Sequence, residues 1–401
     1  MDFDVLIIGG GLVGASLAAA LKHSGLSLAL VESRPDPRAE IAAPAPNSPV
    51  TDSPATDSWD SRIYAISPGS AEFLQQCGVW QRLDEQRVQA VEQMRVFGDT
   101  GAELDFSAYQ LGAPQLAFIL ENAVLHQALW QGLRLQDKLT LIQPAHCASL
   151  SWNDDHALLQ LEDGRELRAR LVVGADGSDS WVRHQAGMIE PLTQYHQHAV
   201  VANFTVEKPH RGTAFQWFQT DGILALLPLP QHRVSMVWSL SPEQAQRLLR
   251  MAPQELCAQV GAACGHALGD LQLLTPPAAF PLHQLKLSRI VQPRMALVGD
   301  AAHSVHPLAG QGVNLGLRDA RALAQVLAQR GAHTDCGNIA LLRRYERARK
   351  EDVLSMLITT DTLKKLFNNH HPLLRSARNF GLAATNRITP LKKMLARHAL
   401  N

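Results

Sequence analysis

Three clusters of glycine and acidic residues carry the chemistry of this 401-residue chain. The first, Gly9-x-Gly11-x-x-Gly14, follows the apolar run Asp4 to Ile8 and opens the Ala-rich segment Leu12 to Leu21. Glu32 ends the next apolar run, about 20 residues on. In that order the first glycine permits a tight turn, the second lets the backbone approach a pyrophosphate, and the third lets a helix pack on a sheet. The helix N-terminus adds N–H groups and a positive dipole, and Glu32 can accept from ribose hydroxyls. A bare glycine turn would explain the triplet alone; strand, helix and acid together predict an adenine-dinucleotide site, with flavin and nicotinamide forms both open at this point.

The second cluster is Gly174-Ala175-Asp176-Gly177-Ser178-Asp179-Ser180-Trp181-Val182-Arg183, again between an apolar run and a helix. Gly177 permits close backbone approach, while Asp176 and Arg183 can offer a carboxylate acceptor and a cation beside a pyrophosphate groove. An ordinary Asp-Gly turn accounts for two of these residues but not for Ser180 and Arg183. The third cluster runs Gly299-Asp300-Ala301-Ala302-His303 and continues through His306-Pro307-Leu308-Ala309-Gly310-Gln311-Gly312-Val313-Asn314. His303 and His306 invite a metal reading, which we reject because two histidines three apart, without further ligands, fall short of a four-ligand site.

These clusters need a scaffold. Asp4 to Ile8, Leu12 to Leu21 and Leu28 to Glu32 read as the opening βαβ of a doubly wound sheet. Ser61 to Val79 reads as a turn and then a helix, and Glu121 to Leu135 as a helix with an apolar stripe. Strand-like segments follow at Leu158 to Leu161, Leu167 to Val173, Ala199 to Val206, Ile223 to Pro228 and Arg233 to Leu240, predicting an antiparallel sheet beside the nucleotide fold. Met295 to Val298 is a further buried strand, leading into a Gly-rich loop and a helix around Leu315 to Leu327; the chain after Leu341 reads as helical. Nucleotide-type segments thus occur at the start, in the middle and near residue 300, so the dinucleotide domain is discontinuous. We expect it over 1–90, 115–185 and 285–345, a substrate domain over 91–114 and 186–284, and a helical region over 346–401. Residues 35–58, rich in Pro, Ala, Ser, Thr and Asp, read as a mobile surface insertion.

Composition removes other classes. Lys plus Arg and Asp plus Glu are 37 each, so no net field draws the chain to nucleic acid. Five scattered cysteines, with no CxxC pair, predict reduced thiols in a cytosolic protein. The acidic start Met1-Asp2-Phe3-Asp4 argues against a signal peptide, and no long apolar run predicts a spanning helix.

Taken together, the three clusters resemble the fingerprints of the flavin-dependent aromatic-ring hydroxylases, in their order and rough positions, from residue 4 to about residue 350. His306 to Gly316, Asp60-Ser61-Arg62-Ile63-Tyr64-Ala65-Ile66-Ser67, Glu121-Asn122, Leu224 to Leu229, Val237 to Leu240 and Arg343 to Glu346 are similar to segments of the ubiquinone-biosynthesis hydroxylases within that group. The resemblance implies an α/β architecture like that of para-hydroxybenzoate hydroxylase: a discontinuous Rossmann-like FAD-binding domain, an inserted antiparallel β-sheet substrate domain and a C-terminal helical region. It implies FAD as cofactor, with Asp300 on the ribityl hydroxyls, Arg62 near the flavin, and Asn122, ahead of Glu121, near the ribityl portion. Gly310, Gln311, Gly312 and Asn314 would offer donors to the ring, with His306, Pro307 and Gln311 near the isoalloxazine. The implied reaction is oxygen transfer from dioxygen, through a flavin 4a-hydroperoxide, to the aromatic ring of a polyprenylated phenol or benzoquinone precursor. Electrons would come from NADPH or NADH, or from a separate reductase, since only one GxGxxG is present.

Two alternatives keep the flavin: reduction or epoxidation of an isoprenoid lipid, and a non-catalytic scaffold in a quinone-biosynthesis complex. The C-terminal stretch from Thr362 to Asn401 has eight Lys or Arg and no Asp or Glu. Leu391, Met394 and Leu395 with Lys392, Lys393 and Arg397 read as a short basic amphipathic helix. It either packs on the parent domain with a solvated basic face or docks on an anionic membrane or acidic partner. The expectation is a cytoplasmic protein with peripheral contact at the inner face of the membrane.

Overall fold

The computed structural model describes residues 1–35, 59–98, 101–188, 190, 193–219, 222–304 and 311–367, with the backbone alone from 358. The insertion beyond Pro35, His306, Pro307, Gly310 and the basic stretch from 368 lie outside the described residues.

The strand Phe3–Ile8 lies between Leu28–Val31 and Glu166–Gly174, parallel to both. It is apolar from Val5 onward because both faces are covered. Val5 and Ile7 join a core under the helices Leu12–Ala20, Asn122–Leu133 and Gln311–Ala328. Leu6 and Ile8 turn to the opposite face, beneath the strands Cys147–Trp152 and Ala157–Leu161. Met295–Leu297 and Leu139–Ile142 extend the parallel arrangement on either side. The strands Ala157–Leu161 and Glu166–Gly174 therefore belong to the nucleotide sheet and not to the separate antiparallel sheet predicted for them.

A nine-stranded sheet is built around Thr193–Val206, Thr213–Gln219, Gly222–Leu229 and Arg233–Leu240. It is antiparallel except where Thr213–Gln219 runs parallel to Gln93–Phe97. One face is covered by the helices Pro242–Leu249 and Pro253–Ala263, which pack on Phe204, Leu226 and Met236. Their starts follow local rules: each has proline in its first turn, and Ser241 with Gln244 forms a capping box. The other face is left for a cavity. Ile63–Ile66, predicted as a turn, is a strand paired antiparallel with Ala117–Glu121. Long-range pairing overrode the local turn composition of Asp60-Ser61-Arg62.

Candidate functional site

A cavity of about 1090 Å³ lies between the C-terminal ends of the parallel strands and the uncovered face of the nine-stranded sheet. That is where open α/β sheets place their ligands. Gly9, Gly11, Glu32, Arg62, Asn122, Asp176, Gly177, Asp300, Gln311 and Gly312 all line it, so ten residues scattered over three hundred positions meet at one space.

At one end, Gly10 N–H and Arg34 N–H donate to the Glu32 carboxylate at 2.7 and 2.9 Å. Burial pushes that carboxyl up, but the two backbone donors together with the Arg34 guanidinium outweigh it, and its pKa sits below the ordinary value. The ionised group keeps lone pairs for a diol at the cavity wall. Gly9 sits at φ +105°, a conformation open to glycine, and a Cβ there would stand 2.4 Å from the Ala175 carbonyl oxygen. A Cβ on Gly14 would come within 2.0 Å of the Gly9 carbonyl, so that glycine packs helix on loop. Gly11 is different: a Cβ there meets no protein atom within 4 Å, and the vacant space belongs to the cavity. Two side chains absent from the sequence reading hold this loop. Trp130 Nε1–H donates to the Gly10 carbonyl at 3.0 Å, and His126 Nε2 lies 3.0 Å from the same oxygen.

Asp176 is fixed by the Ser180 hydroxyl at 2.6 Å and by Val182 N–H at 3.0 Å, and burial raises its pKa. Arg183 does not join it at the cavity wall. Its side chain is buried, and the guanidinium donates to the carbonyls of Ala301 at 3.1 Å and Ser178 at 2.8 Å. The expected cation beside the groove is thus a tie between the second and third clusters.

Asp300 turns its carboxylate to the cavity and has no hydrogen-bond partner among the described residues. Open to the cavity but ringed by protein elsewhere, it has a raised pKa: burial dominates, opposed by His303 and Arg62 and reinforced by Asp319. Gly299 precedes it at φ +63°, and its N–H donates to Asp319 at 2.9 Å. Asn314 is likewise corrected. Its amide donates to Ala65 O and accepts from Ser67 N–H, both at 2.8 Å, so it joins the Gln311–Ala328 helix to the Ile63–Ile66 strand instead of facing the cavity. Gln311, Gly312 and Val313 do line the cavity, which brings that helix's N-terminal turn, with its N–H groups and dipole, to the wall. Arg62 is exposed to the cavity over the Tyr64 ring, and Asn122 N–H donates to its carbonyl at 2.9 Å. Glu121 is withdrawn, accepting from Arg87 twice at 2.7 Å.

The residues present fit an extended dinucleotide with a polyol in its chain: carboxylates at Glu32 and Asp300, open backbone at Gly11 and Gly312, and helix N-termini between them. A family described as "FAD binding domain" matches residues 2–358. The 3-demethoxyubiquinol 3-hydroxylase of Escherichia coli (strain K12) is 37% identical over 400 residues, covering 99% of this chain and 98% of that protein. The ubiquinone hydroxylase UbiL of Rhodospirillum rubrum is 37% identical over 399 residues, covering 99% and 89%. The crystal structure of pqsL, a probable FAD-dependent monooxygenase from Pseudomonas aeruginosa, superposes with a TM-score of 0.75 at 23% identity over 94% of this chain and 99% of that one, a likeness of fold. The fold and site define an FAD-dependent monooxygenase. Within that class the chain belongs to the family of ubiquinone-biosynthesis hydroxylases.

Proposed function

We propose that this chain hydroxylates the aromatic ring of a polyprenylated precursor of ubiquinone. One observation carries the reading: a single cavity has polar dinucleotide loops on one wall and an almost wholly apolar sheet face on the other. Its volume of about 1090 Å³ lies just above the roughly 300–1,000 Å³ usual for one ligand. In this reading Glu32 takes the adenosine ribose, Gly11 and the Asp176-Gly177 turn flank the pyrophosphate, Asp300 takes the ribityl hydroxyls, and Gln311 and Gly312 face the ring. Bound FAD supplies the activation of dioxygen and the transfer of one oxygen atom, with electrons from NADPH, NADH or a reductase. The protein orients the two partners, and its apolar wall excludes water from between them.

Complementation tests this. The gene should restore ubiquinone synthesis in one of a set of strains each lacking the hydroxylase for one ring position, and Asp300→Ala should not. Failure in every strain, with a flavin-loaded protein present, would overturn the reading.

Among the described residues no helix is long and apolar enough to cross a membrane. We infer that access to a membrane-dissolved substrate comes from peripheral contact through the basic C-terminal stretch, supported by its eight cations and absence of acids. Flotation with anionic and neutral vesicles should show anionic, salt-sensitive binding that Lys392→Glu, Lys393→Glu, Arg397→Glu abolishes. Equal binding in all conditions, or none, removes this part.

A further inference from the structure

One arm of the cavity is lined by side chains that carry no nitrogen or oxygen. Leu227, Ala214, Met94 and Phe106 face it from four adjacent strands, Gly222–Leu229, Thr213–Gln219, Gln93–Phe97 and Glu103–Ser107. Sheet register sets them in one row. Phe215 pairs with Leu226, which puts Ala214 beside Leu227; Ala214 pairs with Met94, and Met94 with Phe106. Leu116 and Ile119 pack with the row and line the same space. Arg95 and Asp105, the next pair along the hairpin, point to its reverse face, where they bond each other at 3.4 Å. The hairpin is therefore apolar toward the cavity and charged away from it.

The two ends of the row differ. Ile119 pairs with Ala65, whose carbonyl accepts from Asn314 on the helix that starts at the cavity wall, so the inner end adjoins the place proposed for the flavin ring. At the outer end Glu103–Ser107 is the edge strand of the sheet. Leu111, which also lines the cavity, ends the short helix Ala108–Leu111, and Tyr109 on that helix is 92% exposed. The arm thus runs from the reaction site to the surface. Three strand spacings of about 4.8 Å make it about 14 Å long. A hydroxylated or charged ligand would lose its water here without a partner, whereas a hydrocarbon gains from burial.

We propose that this arm is the subsite for the first units of the substrate's prenyl tail, and that the rest of the tail leaves the protein past Leu111 and Tyr109. This rests on the function proposed above, and it assigns where the tail lies and how much of it the protein reads. An extended chain advances roughly 1.2 Å per bond, so the row takes about twelve bonds, or about three units of a chain that repeats every four bonds. Units beyond those lie outside the protein and add nothing to its affinity.

The test uses the FAD-loaded enzyme and a series of hydroquinones that differ only in the number of prenyl units, binding being followed by the change in the flavin visible spectrum. Wild type should gain roughly 10-fold or more in affinity with each of the first three units, and no more from later ones. Ala214→Leu, which fills the row at its second position, should end the gain after the first unit. Phe106→Asn should weaken only the rings whose tails reach the outer end. A photoreactive diazirine on the third unit should attach within residues 93–111. Flavin content and thermal midpoint report the folding of the variants, and the wild-type series and the labelling need no variant. Affinity that ignores tail length, or that climbs at the same rate past the third unit, overturns the subsite, as does labelling elsewhere. If the rings are still hydroxylated in that case, the function stands without the subsite; if no ring binds and none is hydroxylated, both fall.

Discussion

His303 and Asp319 meet in the interior with Nε2 2.6 Å from Oδ2, sixteen residues apart and both buried. The second Asp319 oxygen accepts from Arg349 Nε at 2.6 Å, and Arg349 continues to Asp352 at 2.7 Å. Arg318 bonds Asp352 at 2.9 Å and reaches Gln311 Oε1 at 3.4 Å. One chain of charged contacts therefore runs from the loop that bears Asp300, through two helices, to the helix turn at the cavity wall. It holds Gly299, next to Asp300, and Gln311 in place.

Asp319→Asn should be strongly destabilising, because it leaves Arg349 buried with a weakened partner; breaking such a pair costs about 3–5 kcal/mol. Urea unfolding of the protein without FAD at neutral pH measures it, and a loss within about 0.5 kcal/mol would show the contacts to be incidental. Burial would raise the Asp319 pKa, yet His303 and Arg349 together hold it below the ordinary value. A depressed carboxylate contributes stability that is complete above its unfolded pKa, about 4, and is lost as pH falls through the folded value. Wild type should thus weaken as pH drops below that point, and the variant should show a shallower acid slope.

Asp300→Asn should separate binding from stability. The raised pKa means that ionising Asp300 opposes the empty fold: its contribution is favourable below the unfolded pKa and is lost as pH rises through the folded one. At neutral pH the FAD-free variant should melt no lower than wild type, and wild type should lose ground relative to it between acid and neutral pH. FAD affinity should nevertheless fall, since a charge-assisted acceptor worth about 1.5–3 kcal/mol is removed. Thermal melts without FAD and a flavin titration check both halves. Unchanged FAD affinity would remove Asp300 from the cofactor site.

Gly11→Val and Gly14→Val should fail differently. The Gly11 Cβ meets open cavity at φ −65°, so the variant should fold with near-normal stability and bind little FAD. The Gly14 Cβ would stand 2.0 Å from the Gly9 carbonyl, a backbone atom that cannot swing aside. That variant should lose roughly 1–3 kcal/mol or more of stability. Circular dichroism melts beside flavin content distinguish them, and equal melting of the two would contradict the geometry.

Local signals made much of this site legible in the sequence. The run from Phe3 to Ile8, the glycines and Glu32 declare themselves because a two-sided strand, a tight turn and a helix start each demand particular residue types within a few positions. Asp300 and Gly312 came from the resemblance, and the fold puts them on the cavity wall, in the turn after a strand and at a helix start. Tertiary structure decided the rest, because a polar side chain's partner depends on what packing brings beside it. Arg183 had the right type for a phosphate, but folding placed the Ala301 carbonyl, 118 residues away, against its guanidinium. Asn314 had the right position for the flavin, but the strand edge at Ala65, 249 residues away, took its amide. The link from Asp319 to Arg349 carries no local pattern at all, because it depends on two helices meeting.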